Sequence, residues 1–226
     1  MESIAHCETS VFINDAYRLK PLIFELQGEF DSKTQLRLVN TGTISKYFDR
    51  WGKVEMTYLG KKYIKPTVNR KAFNELFANA YSTKSSKPKL IVKGLNLLDA
   101  CFDETGDVIP GIPTLVVQSK SKENLLFALG IINSKFSSFY LKERFPASSY
   151  NQGTTFTVDM INELPIPKNL TSEFKKRIVT LVKKILKLKS GDIHVKIDEL
   201  RAQVDAELYS IYGLTKEEID LVEKRK

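Results

Sequence analysis

The sequence predicts an α+β protein, in which a mixed-sheet region with one long helix is followed by a C-terminal antiparallel helical hairpin and a short capping helix. Three observations support this fold class. Short segments of β-branched and aromatic residues alternate with turn residues in the first half of the chain, apolar residues recur at helical spacing from residue 123, and the pattern after Pro167 is helical. The 226 residues suffice for a sizeable core. We expect an α+β region at 1–167 and a helical tail at 168–226 that packs on it or on a partner domain.

The strand segments of the first region are short and bounded by turn signals. Strand-favouring residues occupy positions 11–13, 36–39, 58–64, 90–92 and 114–117. Gly60 interrupts the third of these segments, and residues 103–111 carry the turn residues of a hairpin. The spacing of apolar residues predicts a short helix at 72–81, whereas the polar and basic composition of residues 82–89 predicts a loop.

A long helix with one apolar face is predicted to begin near residue 123. The side chains of that face are Leu125, Leu129, Ile132, Phe136 and Phe139. The helix must end near Pro146, because a residue that precedes proline avoids the helical conformation. Residues 148–155 follow as a polar loop, and such a loop on a rigid helix is suited to contacting another molecule.

The tail has two apolar stripes at helical spacing. The first contains Phe174, Ile178, Leu181, Ile185 and Leu188, and the second contains Ile197, Leu200, Val204, Leu208 and Ile211. The break between them at Ser190 and Gly191 is short, which predicts antiparallel neighbours. Gly213 is placed as a C-terminal cap, and Thr215 with Glu218 has the spacing of a capping box for a last helix.

The charge of the chain points to a polyanionic partner. The net charge is +8 and the isoelectric point is near 9.3, which favours nucleic acid first and an anionic membrane surface second. A basic protein without such a partner is the alternative. Residues 61–93 hold nine basic residues against one acidic residue, Glu75. Our candidates for phosphate contacts are Lys61, Lys62, Arg70, Lys71, Lys87, Lys89 and Lys93. A second basic run at 175–189 fits a solvated helix face better.

Two polar segments have the side chains that read base edges. Candidates in the first are Gln118, Ser119 and Lys120, at the end of a predicted strand. Candidates in the second are Tyr150, Asn151, Gln152, Thr154 and Thr155, where Gly153 permits close approach. Each segment could also be a simple surface turn.

The motifs that catalysis needs are missing from the sequence. There is no glycine-rich phosphate loop, no Asn-Pro-Pro-aromatic tetrad, and no credible nucleophile and base pair. Two cysteines and two histidines have no metal-binding spacing, so we expect no metal site. No apolar run is long enough for a bilayer. The chain enters a predicted strand soon after Met1, and we hypothesise that it is the tail of a longer protein.

Four blocks of sequence together resemble a known family. They are LRLVNTGTISKYFDRWG with KYIKP, then KPKLIVKGL, then LLFALGIINSKFSSFYLKERF with FTVDMINELPIP, and last VDAELYSIYGLTKEEIDLVEK. These blocks cover about residues 36–224, and their order and spacing carry the match. They resemble the TaqI-like C-terminal specificity domain, which is the target recognition domain of type II and IIG restriction–modification adenine-N6 DNA methyltransferases.

The resemblance implies the DNA-reading end of such an enzyme. S-adenosylmethionine and the methylating Asn-Pro-Pro-Tyr motif would belong to an N-terminal methyltransferase domain, so no cofactor is expected within these residues. The implied partners are double-stranded DNA and the methyltransferase domain of the same parent chain, with no membrane and no small-molecule substrate, in the prokaryotic cytoplasm. Two alternatives remain: an enzyme in its own right, or a protein-interaction module whose helical hairpin docks a methyltransferase or nuclease subunit.

Overall fold

The computed structural model describes residues 1–150, 153–188 and 194–224, and over these residues the chain has the predicted α+β fold. The strands are β1 (His6–Thr9), β2 (Ile23–Glu25), β3 (Gln35–Val39), β4 (Met56–Tyr58), β5 (Lys61–Tyr63), β6 (Pro66–Asn69), β7 (Lys89–Lys93), β8 (Ala100–Asp103), β9 (Val108–Pro110), β10 (Thr114–Gln118), β11 (Ser149–Tyr150) and β12 (Gly153–Thr154). The helices are α1 (Ile13–Leu19), α2 (Arg70–Leu76), α3 (Ala80–Ser85), α4 (Lys122–Ile132), α5 (Lys135–Arg144), α6 (Val158–Asn162), α7 (Ser172–Lys187), α8 (His194–Tyr212) and α9 (Lys216–Lys224).

Two four-stranded sheets form the α+β region. Sheet I has the antiparallel order β1-β10-β7-β8, and sheet II has the mixed order β2-β6-β3-β9, in which β3 and β9 are parallel. Two hairpins, β4–β5 and β11–β12, flank the sheets. The predicted mixed sheet is therefore confirmed in sheet II.

The two central strands of sheet I, β7 and β10, are buried on both faces, so each has three apolar residues in succession. Leu90 and Val92 of β7 belong to the main core with α4, α7 and α8, whereas Ile91 points to the other face. There Ile91 and Cys101 pack with Val39 of sheet II. The two sheets are thus joined through a small shared core.

Asparagine side chains cover both edges of sheet I. The Asn133 amide accepts a hydrogen bond from the Ala100 N–H at 2.8 Å and donates one to the Ala100 carbonyl at 3.0 Å. The Asn162 amide does the same for Cys7 of β1, at 2.8 Å and 3.1 Å. Each amide occupies backbone groups that would otherwise be open to pairing with another chain.

The long helix predicted from residue 123 is two helices, α4 and α5. The break lies at Asn133 and Ser134, both buried. Ser134 caps the N-terminus of α5 and accepts a hydrogen bond from the Ser137 N–H. The Asp205 carboxylate accepts the N–H of Lys135 at 2.9 Å, so two of the free donors at the start of α5 have side-chain partners. The helix ends at Arg144, before Pro146 as expected.

Several other elements differ from the sequence prediction. The first strand is β1 at residues 6–9, and Ile13 begins a helix instead of ending a strand. The turn at 103–107 is present, but β8 pairs with β7 and β9 pairs with β3, so residues 103–111 form no hairpin. Residues 72–81 are divided between α2 and α3, and α3 extends into the segment predicted as a loop.

The helical tail packs on the α+β region through α4. A Cβ atom built on Gly130 would lie 2.9 Å from Ile178 Cγ2 and 3.2 Å from Val182 Cγ2, so α7 approaches α4 at this glycine. The helices α7 and α8 are neighbours, with Arg177 Nε 3.1 Å from the Glu207 carboxylate. The predicted capping box is present, because Thr215 Oγ1 accepts the Glu218 N–H at 3.3 Å and Glu218 accepts the Thr215 N–H at 2.8 Å.

Candidate nucleic-acid interface

The polar hairpin β11–β12 is attached to the turn at residues 94–99, which connects β7 to β8. Leu95 and Thr155 form a backbone bridge, and the Asn96 N–H donates to the Thr154 carbonyl at 2.7 Å. The Phe156 N–H donates to the Gly94 carbonyl at 3.0 Å. Backbone bonds therefore place part of the segment predicted to read bases beside the C-terminal end of β7.

Four cations act on a buried carboxyl group in this turn. Asp99 is only 8% exposed, and burial raises the pKa of its carboxyl, while Lys46, Lys93, Arg201 and Arg50 act in the opposite direction. The four come from different parts of the chain: two from the loop at 40–50, one from β7 and one from α8. Asp205 also acts on Lys46, and Asp198 Oδ1 accepts a hydrogen bond from Arg201 Nη1 at 3.0 Å, so the four cations exceed these carboxylates and the region keeps a modest positive excess.

Hydrogen bonds hold the loop at 40–50 in place. The Asn40 side chain accepts the Gly42 N–H at 2.9 Å and donates to the Thr57 carbonyl at 2.8 Å. Tyr47 has a φ of 72°, and its N–H donates to the Ala100 carbonyl at 2.7 Å. The loop is thereby attached both to the β4–β5 hairpin and to the edge of sheet I.

The cations of this loop differ in their exposure. Lys46 Nζ donates to the Asn133 carbonyl at 2.8 Å, and burial lowers the pKa of its ammonium group. Arg50 is exposed, and its Nη2 donates to the Gly42 carbonyl at 3.1 Å. Arg201 of α8 donates to the Lys46 carbonyl at 3.3 Å. Lys46 and Arg201 are thus partly internal, whereas Arg50 faces solvent.

We call this region the basic end; it comprises Lys46, Arg50, Lys93, Asn96, Thr155 and Arg201. Arg50, Asn96 and Thr155 are exposed, and Lys93 is half-buried. The arrangement combines positive charge with hydrogen-bonding side chains on backbone that is fixed by hydrogen bonds. Phosphate groups are bound by such cations, and base edges are contacted by such polar side chains.

The predicted base-reading residues fall at two separate places. Thr155 lies at the basic end, and Thr154 is buried beside it. Tyr150 belongs to β11 by its backbone, whereas Asn151 and Gln152 lie outside the described residues.

Gln118, Ser119 and Lys120 lie at the opposite end of sheet I. Strand β10 begins at Thr114, which is paired with Lys93, and ends at Gln118, which is paired with His6. Ser119 Oγ donates to the Ile4 carbonyl at 2.8 Å. The structure therefore does not bring the two predicted base-reading segments together.

The prediction that Lys89 contacts a phosphate group is wrong. Its side chain has 0% exposure and forms an ion pair with Asp103. Lys89 Nζ also donates to the Ser85 carbonyl at 2.7 Å. The polar composition of residues 82–89 predicted a loop, but Lys89 at the end of this segment points into the protein.

The remaining predicted lysines and arginine are spread over the surface. Arg70 Nη2 lies 2.5 Å from the Asp107 carboxylate and donates to the Ser32 carbonyl at 2.8 Å, so it holds loops together. Lys71 and Lys87 are exposed. Lys71 follows Arg70, and the Lys87 backbone lies beside the 103–107 turn. Strand β8 runs from Ala100 at the basic end to Asp103 at this turn, so we call the region of Lys71, Lys87 and the turn the far end. Lys61 and Lys62 are exposed on β5, and Lys62 Nζ lies 2.8 Å from the Glu55 carboxylate.

The sequence did not identify Lys46, Arg50, Asn96 or Arg201 as site residues. Lys46 and Arg50 lie inside the block LRLVNTGTISKYFDRWG. The length of this block and its turn residues were the features of the sequence that could have indicated a site there. Arg201 reaches the basic end from α8, which is far away in sequence. A local pattern has no means to indicate that contact.

Metal binding and membrane spanning have no support among the described residues. No three or more His, Cys, Asp or Glu side chains there are grouped to hold a metal ion. Cys7 and Cys101 are buried, and burial raises the pKa of the Cys7 thiol to about 12. None of the helices in the described ranges has the length and apolar character required to cross a bilayer.

The chain is similar in fold to part of a restriction endonuclease of known structure. That enzyme is the type IIG restriction endonuclease BpuSI, which the chain matches with a TM-score of 0.52 and 10% sequence identity. The similarity covers 92% of this chain and 30% of the BpuSI chain, so the chain spans about a third of that protein. No protein-family model matches the chain, and no curated protein matches it. At this identity the likeness concerns the fold.

Proposed function

We propose that this chain is a sequence-specific DNA target recognition domain, of the TaqI-like kind, from a restriction–modification adenine-N6 DNA methyltransferase. In this proposal it binds double-stranded DNA and does not catalyse a reaction by itself. A methyltransferase domain of the same parent chain would bind S-adenosylmethionine and carry out the methyl transfer. The fold of the type IIG restriction endonuclease supports the proposal.

The observation that carries the proposal is the basic end. Lys46, Lys93, Arg50 and Arg201 all act there on the buried Asp99 carboxyl, beside a hairpin attached by backbone hydrogen bonds. Cations attract the phosphate backbone of any sequence, whereas polar side chains on a fixed backbone discriminate between base edges. The cations and the polar side chains together favour a surface that binds specific DNA over a basic surface without a nucleic-acid partner.

A division of roles follows from exposure. Arg50 and Lys93 reach solvent and would contact phosphates, while Lys46 attaches the loop at 40–50 to the Asn133 carbonyl after α4 and Arg201 attaches it to α8. Thr155 and Asn96 are exposed beside them and would face the bases. In this arrangement the helical tail supports the DNA-binding surface through Arg201.

The alternative of a docking module is less well supported. Phe174, Ile178, Val182 and Ile185 of α7 are buried in the core that the tail shares with α4. The apolar face of the hairpin is therefore already used within the chain. Only its charged outer face would remain for a methyltransferase or nuclease subunit.

DNA binding at increasing salt concentration tests the proposal. We expect fluorescence anisotropy with a labelled synthetic duplex to give a linear fall of log K with log salt concentration. The double variant Arg50→Ala/Lys93→Ala should reduce that slope by about two, since each lost phosphate contact contributes about 0.9.

The matched control is Lys71→Ala/Lys87→Ala, which removes two exposed lysines at the far end. It should leave the slope unchanged. The proposed surface is wrong if the control reduces the slope and Arg50→Ala/Lys93→Ala does not. Absence of salt-dependent binding by the unaltered chain would exclude the DNA-binding function itself.

A further inference from the structure

The turn at residues 94–99 exposes an apolar side chain at the basic end. Leu97 is 57% exposed, whereas its neighbour Leu98 is 2% exposed and belongs to the main core. Leu95 is half-buried, and its backbone forms a bridge with Thr155. The turn therefore buries Leu98, partly covers Leu95 and presents Leu97 to solvent.

The backbone around Leu97 is held on both sides. The Leu97 N–H donates to the Leu95 carbonyl at 2.9 Å, and the Leu97 carbonyl accepts the Asp99 N–H at 3.0 Å. The Lys93 N–H donates to the Asp99 carbonyl at 2.8 Å, which closes the turn. Asn96 has a φ of 67°, a left-handed conformation that asparagine tolerates better than most residues. Leu97 is thus presented in a fixed position.

The surroundings of Leu97 distinguish it from an ordinary exposed leucine. A single exposed apolar residue needs no explanation in itself. Here the residue lies in the turn of Asp99, on whose carboxyl Lys93, Arg50 and two further cations act. An exposed apolar side chain on a turn with a fixed backbone, close in sequence to cations proposed to contact phosphates, has the form of a side chain that wedges into a base stack.

We propose that Leu97 inserts between adjacent base pairs of duplex DNA bound at the basic end, and so unstacks and bends that duplex. This inference rests on the DNA-binding function proposed above. Arg50 and Lys93 would hold the phosphates on either side while Leu97 enters the opened step. Asn96 and Thr155 would then lie next to the unstacked bases, where polar side chains have access to base edges.

A duplex with a missing base tests the wedge. The probes are two synthetic duplexes of the same sequence, one intact and one with a single tetrahydrofuran abasic site. The abasic site has already lost stacking, so a wedge inserts there at lower cost. We expect the unaltered chain to bind the abasic duplex about tenfold more tightly than the intact one. Leu97→Ala should abolish this preference, and Leu97→Phe should preserve it.

Leu221→Ala is the matched control, because Leu221 is 58% exposed on α9. It should retain the preference for the abasic duplex. The wedge is overturned if Leu97→Ala retains the preference as well, or if the unaltered chain binds both duplexes equally with a normal dependence on salt. Failure to bind either duplex would overturn the DNA-binding function and the wedge together, so the two failures are distinguishable.

Discussion

At the scale of single residues, Lys89 shows how a lysine is accommodated inside a protein. Its ammonium group pairs with Asp103 and donates to the Ser85 carbonyl, and burial lowers its pKa. The Asp103 carboxylate also accepts the N–H groups of Gly106 and Val108, both at 3.1 Å. The pair therefore joins the end of α3 to the turn after β8.

Lys89→Met should be severely destabilising, because it leaves the Asp103 carboxylate buried without its cation. Removal of one member of a buried ion pair costs about 3–5 kcal/mol. The free energy of unfolding from urea titration measures this loss. The exposed Lys87→Met should change it by no more than about 0.5 kcal/mol.

Asp103→Asn in the Lys89→Met background should recover part of the loss, because asparagine carries no charge and its amide oxygen still accepts the Gly106 and Asp107 N–H groups, while the Val108 N–H loses its acceptor. Equal and small effects of Lys89→Met and Lys87→Met would contradict the internal role of Lys89. In that case Lys89 would again be available as a phosphate contact.

At the scale of elements, the two edges of sheet I depend on one asparagine each. Asn133→Ala should leave the Ala100 N–H without a partner in a buried place, at a cost of about 1–3 kcal/mol. The Ala100 carbonyl keeps the Tyr47 N–H. Asn162 is half-buried, so water can replace its amide, and Asn162→Ala should cost less.

Thermal unfolding of the two alanine variants, followed by circular dichroism, measures this difference directly. We expect a lower midpoint for Asn133→Ala than for Asn162→Ala. A larger effect of Asn162→Ala would show that burial does not decide the strength of these edge contacts.

Periodicity predicted elements well where local residues decide the structure. The strands β3, β7 and β10 and the helix α7 lie where the apolar patterns put them, and the capping box of α9 was visible in Thr215 and Glu218. The break between α4 and α5 was not predictable in this way, since the apolar spacing continues through it. Its cause is tertiary, because Asn133 pairs with β8 and Asp205 of α8 accepts the first N–H of α5. The pairing of β9 with β3 instead of β8 is likewise a long-range choice.

At the scale of the whole molecule, the candidate site depends on contacts between distant segments. The sequence predicted the positive charge and a polar loop at 148–155, and the predicted contact residues included Lys93 and Thr155. The prediction placed Lys93 and Thr155 in one interface with Gln118 and Lys87, because the sequence gives only local composition and spacing. The structure separates these residues along sheet I and adds Arg50 and Arg201 from elsewhere. Charge composition therefore indicates the class of partner, whereas the fold decides which charges act together.

One core joins the α+β region to the helical tail, which leads to a prediction about cooperativity. Buried residues of sheet I, α4, α7 and α8 form a single cluster, and Gly130 is a contact point within it. Trp51 is the one tryptophan of the chain and reports on the α+β region. Far-ultraviolet ellipticity receives a large contribution from α7 and α8, which have 16 and 19 residues. If the regions unfold as a unit, tryptophan fluorescence and ellipticity should give coincident urea transitions.

Gly130→Ala should move both transitions together to lower urea. Its new methyl group would overlap Ile178, at a cost of about 1–3 kcal/mol that the better helix propensity of alanine offsets by up to about 1 kcal/mol. Gly28→Ala is the control, because a Cβ there has no atom within 4 Å. Separate transitions, or a shift by Gly130→Ala in ellipticity alone, would mean that the tail is an independent domain. Arg201 would then be held at the basic end by a weak interface, and DNA binding should be lost in urea before Trp51 is exposed.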